Sequence, residues 1–453
     1  MKTINPSNGE LIKEYQETGF KEIERIIAAA NDAQSEWRRR SFKDRAKYLH
    51  KISNLLQGQK QTLSELMATE MGKPLAQGIG EVEKCGWVCD FYAEKASEFL
   101  SNDEVQTDAS KSYVAFQPLG VVLSIMPWNF PFWQVFRFAV PALMAGNGVI
   151  LKHSENTTGC ALEIEKIVYQ SGIPKELFRT ILVENDHMKP VIQHSGIAAV
   201  TLTGSTRAGK IVASQAGQAL KKTVLELGGS DPYIVLKDAD VKQAAEVCAT
   251  SRLVNSGQSC VAAKRFVVVK EVYDEFVTEF TRIMKSRKVG DPFDNTTDVG
   301  PMARVDLRDE LHRQVEESIK KGARPILGCE KPSGTGAFYP VSILTEVEKG
   351  MPAYEEELFG PVAAIIKAED ETDAIRIAND TIYGLGAAIF SSDVERAERI
   401  AAEQLEAGCC FVNSMVKSDP RAPFGGIKDS GYGRELGLYG IREFVNAKTV
   451  WVG

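Results

Sequence analysis

The stretch Val121-Val-Leu-Ser-Ile-Met126 is a short apolar run typical of a strand that is buried on both faces. A helical pattern over 134–145 follows it, Gly146-Asn-Gly148 ends that helix, and Val149-Ile-Leu151 predicts the next strand. The alternation continues with strands at 180–183 and 198–203 and helices at 158–170 and 206–217. Such an alternation favours a parallel sheet covered by helices on both faces, with ligands bound outside the carboxyl ends of its strands.

A second α/β series begins after Gly229. Its strands are predicted at 233–236, 266–269, 362–366, 386–390 and 410–413, and its helices at 240–254, 272–287, 304–321, 370–379 and 393–406. Upstream of the first sheet, residues 20–58 predict a pair of amphipathic helices and residues 61–100 a further helical stretch. The junction near 225–230 is a Gly-Gly turn and not a flexible tether, so we expect the two domains to enclose a cleft.

Residues 104–118 and 436–453 are β-like and fit neither series. A terminal strand that carries Trp451 can pair with another subunit or close a sheet of its own chain. We therefore expect two domains and a small β element. The expected bounds are 1–103 with 119–227 for the first domain, 228–430 for the second, and 104–118 with 431–453 for the β element.

Composition excludes several classes of protein. The 453 residues carry a net charge of −7 without a basic block, so a nucleic-acid partner is not expected. The longest apolar region, 130–151, is interrupted by Arg137 and Asn147, so no membrane span is expected. Eight cysteines without a C-x-x-C and only five histidines argue against a metal site and for free thiols. With no apolar signal core at the N-terminus, we expect a cytoplasmic protein.

Two motifs flank the junction between the domains: Leu225-Glu-Leu-Gly-Gly229 and Asn255-Ser-Gly-Gln-Ser-Cys260. A cysteine acts as a nucleophile only as the thiolate, in a place that a ligand can reach. Gly257 permits a close backbone approach there, and Glu226 ahead of a Gly-Gly turn suits a base that must reach a water. The alternatives are a buried, inert Cys260 thiol and a Glu226 that is a solvated strand end.

Three further motifs lie at strand ends. Gly204-Ser-Thr-Arg-Ala-Gly-Lys210 is nearly a P-loop, but Ile211 stands where a hydroxyl must hold magnesium. A nucleotide triphosphatase is therefore disfavoured. The motif can still bind a phosphate at a helix N-terminus, or it can be a structural turn. Lys152 and Glu155 follow an apolar strand, where a carboxylate can bind the ribose hydroxyls of a dinucleotide. Pro127-Trp-Asn-Phe-Pro131 fixes an asparagine whose amide suits an oxyanion. A cysteine hydrolase would need a histidine partner, and none lies in a recognisable motif.

Two more motifs occur later in the chain, Glu357-x-Phe359 and Pro423-Phe-Gly-Gly426. Together with Asn129, Lys152, Glu155, Gly204-Ser205, Glu226 and Cys260 they resemble the NAD(P)-dependent aldehyde dehydrogenase superfamily over essentially the whole chain. Where that family commonly has Lys-Pro-x-Glu, the chain has Lys152-His-Ser-Glu155, which is similar to bacterial succinate-semialdehyde dehydrogenases. The resemblance implies an α/β aldehyde dehydrogenase-like fold with two Rossmann-like parallel-sheet domains, the first binding NAD(P) and the second catalytic, and a small β element for oligomerisation.

The resemblance also implies a catalytic set. Cys260 would form a thiohemiacetal with the aldehyde, and the Asn129 amide and the Cys260 backbone N–H would hold the oxyanion. Glu226 would activate the water that hydrolyses the later thioester. Relatives that pass the thioester to coenzyme A typically lack a carboxylate at that position, so hydrolysis to a free acid is expected.

For the cofactor, the resemblance implies contacts from Pro127, Trp128, Lys152, Ser154, Glu155, Gly204, Ser205, Leu227, Glu357 and Phe359. Glu357 would bind the nicotinamide ribose and Phe359 would pack on the nicotinamide ring. Glu155 would repel a 2′-phosphate, so NAD is expected to be preferred, whereas Lys152 could pair with that phosphate, so NADP is possible.

For the substrate, the resemblance places Arg137, Trp133 and Ser418 in the pocket, with Arg421 either there or in a salt bridge. A guanidinium binds a carboxylate in bidentate fashion, so a small aldehyde with a distal carboxylate is expected. The alternative for Arg137 is a charge on a helix surface. Succinate semialdehyde is the leading candidate, with glutarate semialdehyde or another small aldehyde as the alternative, and the protein is expected to be a homo-oligomer, a dimer or a tetramer.

Overall fold

The computed structural model describes residues 1–453 and contains two large sheets that are almost entirely parallel. The first sheet has six strands, and five of them run parallel. In spatial order they are Gly431–Tyr432, Lys222–Glu226, Ala199–Thr203, Val121–Met126, Gly148–His153 and Phe178–Thr180. The central strand Val121–Met126 has the predicted bounds and no side chain on either face that is freely exposed, because helices cover both sides.

Helices surround this sheet where the 3.6-residue periodicity predicted them. They are Phe20–Trp37, Phe42–Met71, Leu75–Phe99, Trp133–Ala145, Thr158–Gln170, Met188–Gln193 and Thr206–Gln218. The expected division of the N-terminal helices near residue 60 is wrong, since one helix runs from Phe42 to Met71. It ends at Gly72, whose φ of +76° is the left-handed conformation that glycine adopts at helix ends.

The second sheet has seven strands, of which only the first is antiparallel to its neighbour. In spatial order they are Arg324–Leu327, Ser342–Thr345, Val362–Ala368, Arg265–Val269, Pro232–Val235, Gly386–Phe390 and Cys409–Val412. Its helices are Val241–Leu253, Tyr273–Ser286, Val305–Lys320, Pro352–Glu355, Glu371–Asn379 and Val394–Glu403. The strands at 324–327 and 342–345 were not predicted. The first of them is a short exposed edge that contains a proline, so it lacks the apolar run of a central strand.

The β element is a three-stranded antiparallel sheet of Asp103–Glu104, Lys111–Pro118 and Val445–Val452. The last strand pairs with Lys111–Pro118 of its own chain, and its other edge has no neighbour. The expectation of β structure throughout 436–453 is wrong, because Gly437–Glu443 is a helix. A two-stranded hairpin, Lys2–Ile4 with Leu11–Glu14, lies at the N-terminus.

Residues 431–444, expected in the β element, lie instead with the first domain. Gly431 pairs with Glu226 and Tyr432 with Leu225 at the edge of the six-stranded sheet. The helix Gly437–Glu443 packs against the helix Trp133–Ala145. The two α/β domains and the small sheet of the expected fold class are confirmed, with this return of the chain to the first domain as the difference. Among the helices, none has the combination of length and apolar character that crossing a bilayer requires.

Candidate active site

One cavity of about 220 Å³ lies between the two domains, lined by the segment that follows the strand Val121–Met126 of the first sheet and by the loop that precedes the strand Arg265–Val269 of the second. Cys260 lines this cavity, together with Trp133 and Arg137 from a helix of the first domain and Ser418 from the loop after the strand Cys409–Val412. Glu226 is the last residue of the strand Lys222–Glu226. The predicted nucleophile and the predicted substrate residues are therefore brought to the same cavity, in the cleft between the domains.

The loop that carries Cys260 has an unusual backbone. Asn255, Ser256 and Gly257 are three successive residues with positive φ, at +54°, +56° and +77°. A β-carbon on Gly257 would lie 2.2 Å from the carbonyl oxygen of Gly360, so only glycine fits. Gly257 thus permits a close approach between the Cys260 loop and the backbone at Gly360 of the same chain. Contacts with the surrounding structure hold these three residues in this strained conformation.

Lys264 lies behind the nucleophile and was not identified from the sequence. Its Nζ donates hydrogen bonds to the carbonyl oxygens of Ser259 at 2.9 Å, Cys260 at 2.8 Å and Ala262 at 3.2 Å. The ammonium is buried and lies 3.5 Å from the Glu357 carboxylate. It fixes the curvature of the chain at Cys260 and places a positive charge near the thiol.

Cys260 is half-buried and lines the cavity, so it is not a fully buried core residue. Burial raises the pKa of Cys260 to about 12, and the positive charges of Arg137 and Lys264 offset part of that shift. In this arrangement the thiol is protonated at neutral pH. No histidine lines the cavity, so ionisation of the thiol depends on charges and backbone groups and not on a histidine base.

Asn129 is held on both its side chain and its backbone. Its Nδ2 donates to the Gln258 carbonyl oxygen at 3.1 Å, and its own carbonyl oxygen accepts from Lys73 Nζ at 2.9 Å and Asn255 Nδ2 at 2.6 Å. A primary amide has two N–H groups, so one remains for an oxyanion near Cys260. The asparagine and the nucleophile loop are thus joined directly.

Lys73 and Glu81 form a buried ion pair beneath this segment, and neither was identified from the sequence. Glu81 accepts hydrogen bonds from the backbone N–H groups of Phe132 and Trp133, both at 2.9 Å, at the start of the helix that follows. A helix N-terminus favours a carboxylate at this position. Lys73 lies in the short connection between two helices and Glu81 on the second of them, and no motif in the sequence distinguishes either charge.

Glu226 is 2% exposed, which contradicts the alternative of a solvated strand end. Neither of its carboxylate oxygens has a hydrogen-bond partner within the chain. Burial raises the pKa of Glu226 well above its ordinary value, opposed by the positive charge of Arg137 and reinforced by the negative charge of Glu435. Burial therefore favours the neutral carboxyl of Glu226, and solvation by water or by movement would favour the carboxylate that acts as a base.

Arg137 is 1% exposed, so it is not a helix-surface charge. It forms an ion pair with Glu435, donates from Nη2 to Thr203 Oγ1 at 3.3 Å, and lies over the Phe424 ring at 4.9 Å. Its guanidinium reaches the cavity with its charge already shared with a carboxylate. Arg137 therefore lies in the predicted pocket, and its pairing with Glu435 was not foreseen from the sequence.

Ser418 connects two other cavity residues. Its Oγ accepts hydrogen bonds from Trp133 Nε1 at 3.1 Å and from Lys84 Nζ at 2.9 Å. Lys84 comes from the helix Leu75–Phe99 and was not identified from the sequence. Arg421, in contrast, is exposed and forms a two-point salt bridge with Asp419 at 2.9 and 2.7 Å, which favours the salt-bridge alternative.

Residues expected to hold a dinucleotide lie along the carboxyl ends of the first sheet. Ser205 caps the helix Thr206–Gln218, with its Oγ accepting from the Ala208 N–H at 3.3 Å, and Gly204 donates to the Glu226 carbonyl oxygen at 2.9 Å. A β-carbon on Gly209 would lie 2.5 Å from Leu227, so the helix packs closely on the sheet. Close packing of this kind is what dinucleotide-binding folds use glycine for.

The adenosine side of this surface carries both signs of charge. Lys152 is buried and donates from Nζ to Asn185 Oδ1 at 2.5 Å. Burial lowers the pKa of Lys152, and the Glu155 carboxylate opposes that shift. Ser154 donates its N–H to the carbonyl oxygen of Met126 at 2.9 Å, which joins the ends of two adjacent strands. Lysine and glutamate are thus both available to the ribose region.

The nicotinamide side lies between the domains. Trp128, which follows Pro127 at the end of its strand, meets Phe359 edge to face at 5.7 Å between ring centroids. Glu357 accepts from the Gly229 N–H at 3.0 Å. The closely packed helix, the strand-end polar groups and this aromatic pair fit a dinucleotide. No three histidine, cysteine, aspartate or glutamate side chains come together as metal ligands.

A comparison with protein families matches residues 1–450 to the model described as the aldehyde dehydrogenase family. The chain belongs to the aldehyde dehydrogenase family. As a member it is an NAD(P)-dependent enzyme.

Several curated relatives align over nearly their whole length. A protein of Synechocystis named a probable succinate-semialdehyde dehydrogenase [NADP(+)] is 46% identical over 450 residues, covering 99% of each chain. A protein of Escherichia coli named a succinate semialdehyde dehydrogenase [NAD(P)+] is 44% identical, covering 99% of this chain and 97% of the relative. Among solved structures, the succinic semialdehyde dehydrogenase of Streptococcus pyogenes in complex with NADP+ has a TM-score of 0.97 at 37% identity, covering 100% of this chain and 99% of that one.

These names bear on the cofactor. The relatives are named for NADP(+) or NAD(P)+, and the Streptococcus pyogenes structure contains NADP+. The expected preference for NAD therefore receives no support from them. What holds for this aldehyde dehydrogenase is dependence on NAD(P).

Proposed function

We propose that this aldehyde dehydrogenase oxidises succinate semialdehyde to succinate with NAD(P), through a thioester on Cys260 that water hydrolyses. The observation that carries the proposal is one cavity lined by Cys260 and, away from the sulfur, by polar and cationic side chains that include Ser418. A small aldehyde with a carboxylate at its far end matches such a cavity in both size and charge. The names of the relatives point to the same substrate.

The first step is attack of the Cys260 thiolate on the aldehyde carbon, which gives a thiohemiacetal. The negative charge that develops on the aldehyde oxygen is held by the Cys260 backbone N–H and the free N–H of the Asn129 amide. Two contacts fix the Asn129 segment, from Lys73 and from Asn255, so the amide is oriented before the charge develops.

NAD(P), when bound, would accept the hydride that leaves the thiohemiacetal carbon as its hydroxyl loses a proton, and it would be held by Ser205, Lys152 and Glu155 on the first domain and by Glu357 and Phe359 from the second. The cysteine is then acylated as a thioester, and a water must attack its carbonyl carbon. Glu226 takes the proton of that water as general base. Because burial raises the pKa of Glu226, entry of the water beside its two unbonded oxygens is what lowers that pKa and makes the carboxylate basic.

For the choice of cofactor we propose that Glu155 disfavours a 2′-phosphate, so that NAD is preferred, while Lys152 keeps NADP usable. The relatives' names count against the preference, which makes the test direct. We expect kcat/KM for NADP divided by kcat/KM for NAD to rise in Glu155→Ser and to fall in Lys152→Met. A wild-type enzyme that already favours NADP, with no change in Glu155→Ser, would overturn the preference.

The proposed reaction is tested by following NAD(P)H absorbance with a panel of succinate semialdehyde, glutarate semialdehyde and butanal, with and without coenzyme A. We expect the highest kcat/KM with succinate semialdehyde and a free acid as product without coenzyme A. Cys260→Ala is the control for background oxidation. A coenzyme A requirement would contradict hydrolysis, and a higher kcat/KM for glutarate semialdehyde would replace the substrate.

We also propose that the protein assembles as a homo-oligomer through the unpaired edge of the strand Val445–Val452. Trp451 on that strand is 53% exposed, and an edge strand with exposed apolar side chains is a template for pairing. Light scattering coupled to gel filtration distinguishes a dimer or tetramer from a monomer. All eight cysteines are free, which suits the reducing cytoplasm as the proposed location.

A further inference from the structure

Lys84 is a positively charged residue of the proposed substrate cavity, and nothing in the sequence identifies it as a functional residue. It lies on the helix Leu75–Phe99, whose pattern is that of an ordinary amphipathic helix. Its side chain lines the cavity that Cys260 also lines, and it borders a second, more open cavity of about 470 Å³ together with Lys417 and Ser418. Lys84 therefore lies where the enclosed cavity of Cys260 continues toward the outer surface.

The Lys84 ammonium has one hydrogen bond and no carboxylate partner. Nζ donates to Ser418 Oγ at 2.9 Å and lies 4.2 Å from the centroid of the Trp133 ring. No aspartate or glutamate oxygen forms a salt bridge with it at 4.0 Å or less. An ammonium has three N–H donors, so two are unused. Burial is the largest cause that lowers the pKa of Lys84, to about 8, and the nearby positive charge of Arg137 adds to it.

Arg137, the other cation of the cavity, is already paired. Its guanidinium forms an ion pair with Glu435 and a hydrogen bond with Thr203, and both it and Glu435 are buried. A second carboxylate placed on Arg137 would lie beside Glu435, and two like charges at such separation repel each other strongly in a buried site. No carboxylate lies within salt-bridge distance of Lys84, and Asp419 and Glu81 are its more distant negative neighbours.

Ser418 completes the arrangement. Its Oγ accepts hydrogen bonds from both Lys84 and Trp133, so its own O–H is free to donate. Two ammonium N–H groups of Lys84 and the Ser418 hydroxyl thus have no acceptor within the chain, with Asp419 and Glu81 as the nearest negative charges that act on Lys84. This is the donor set that a carboxylate needs to leave water without losing its hydrogen bonds.

We propose that the Lys84 ammonium, assisted by the Ser418 hydroxyl, binds the distal carboxylate of the aldehyde substrate and is a principal determinant of specificity for carboxylated aldehydes. Arg137, paired with Glu435, acts instead as a fixed positive charge near Cys260 and Glu226. The inference rests on the proposed function, since it presumes a substrate that carries a second acidic group.

The test is a split between KM and kcat for two aldehydes of equal chain length, succinate semialdehyde and butanal. The variants are Lys84→Met, which keeps the length and removes the charge, and Lys84→Arg, which keeps a charge. Lys95→Met is the matched control, because Lys95 is an exposed lysine on the same helix, paired only with Glu98. Inhibition by succinate, measured with butanal as substrate, gives a second readout that does not depend on turnover of the carboxylated aldehyde.

In Lys84→Met we expect KM for succinate semialdehyde to rise by about 10- to 100-fold, the usual loss for a hydrogen-bonded charge pair, with a smaller change in kcat. KM for butanal should change little, succinate inhibition should weaken in parallel, and Lys84→Arg should recover part of both. Lys95→Met should match the wild type throughout.

Two results would overturn the inference: a Lys84→Met variant with the wild-type kcat/KM for succinate semialdehyde, or one with equal losses of kcat/KM for both aldehydes. Failure of the proposed function is distinguished in the wild type itself. If the unmodified enzyme shows no preference for succinate semialdehyde over butanal, the proposed substrate is wrong before any variant is measured. If the preference is present and survives the loss of Lys84, only the role of Lys84 is wrong.

Discussion

Asn255 Nδ2 donates a hydrogen bond of 2.6 Å to the carbonyl oxygen of Asn129, and this bond crosses from the second domain to the first. It joins the loop of the nucleophile to the segment that carries the oxyanion donor. Because Asn255 also donates to the Gln258 carbonyl oxygen at 3.0 Å, one side chain sets the distance between the two halves of the reaction site.

Two replacements of Asn255 should therefore separate the effect of losing its hydrogen bonds, which orient Asn129, from the effect of backbone strain. Asn255→Gly loses the amide but accepts the left-handed backbone, whereas Asn255→Ala loses the amide and is strained at φ +54°. We expect kcat to fall by roughly 10- to 100-fold in both variants, since small displacements of reacting groups have effects of that size. The melting temperature should fall further in the alanine variant. Full activity in Asn255→Gly would show that the bond has no catalytic role.

The elevated pKa of Cys260 predicts the pH dependence of its alkylation. Below a thiol pKa of about 12 the thiolate fraction rises with pH, so the iodoacetamide rate should increase about tenfold per pH unit from about pH 7 to pH 10 without a plateau. Lys264→Met should lower the rate at each pH, because it removes a positive charge that favours the thiolate. Cys260→Ser is the control for labelling of other cysteines. A plateau below pH 9 in the free enzyme would contradict the buried, protonated thiol.

Loss of the proposed base should stop the cycle after acylation. In Glu226→Gln, steady-state turnover should fall by about 10²- to 10⁴-fold, the usual contribution of a general base. Formation of the thioester does not need that base, so rapid mixing should show a burst of NAD(P)H close to one equivalent per site. Mass spectrometry of the quenched enzyme should find the acyl group on Cys260. A loss of the burst together with turnover would instead place Glu226 in the first half of the reaction.

The buried pair under the oxyanion segment should matter for stability. Glu81→Gln leaves the buried Lys73 ammonium without its counter-charge, and breaking such a pair from one side costs roughly 3–5 kcal/mol of unfolding free energy. Glu83→Gln, two residues away on the same helix, removes an exposed pair with Lys60 and should cost about 1 kcal/mol or less. Denaturant unfolding measures both. Equal losses of unfolding free energy in the two variants would mean that the buried Lys73–Glu81 pair stabilises the fold no more than the exposed Lys60–Glu83 pair.

The sequence predicted the parts of the fold that depend on apolar periodicity. Val121–Met126 and Gly386–Phe390 have their predicted bounds because both are central strands, covered on both faces. The edge strand Arg324–Leu327 and the helix Gly437–Glu443 were missed. Both are short and lie at the periphery, where tertiary contacts and not local pattern decide the conformation.

For the site, motifs predicted which residues would be near one another but not their partners. Cys260, Trp133 and Ser418 line one cavity as expected. The pairing of Arg137 with Glu435 could not be read from the sequence, because the two residues are almost three hundred positions apart and neither lies in a charge pattern. Lys73, Lys84 and Lys264 were missed for a related reason. A lysine on a helix or turn is normally solvated, and only the fold shows that these are withdrawn from water.

Residues 431–452 connect the edge of the six-stranded sheet with the small antiparallel sheet. Gly431 is the register partner of Glu226, Glu435 holds Arg137, and the same run of backbone ends in the strand Val445–Val452 at the edge of the small sheet. One stretch of twenty-two residues thus pairs with the strand that ends in the proposed base, supplies the carboxylate that neutralises Arg137, and forms the proposed assembly strand.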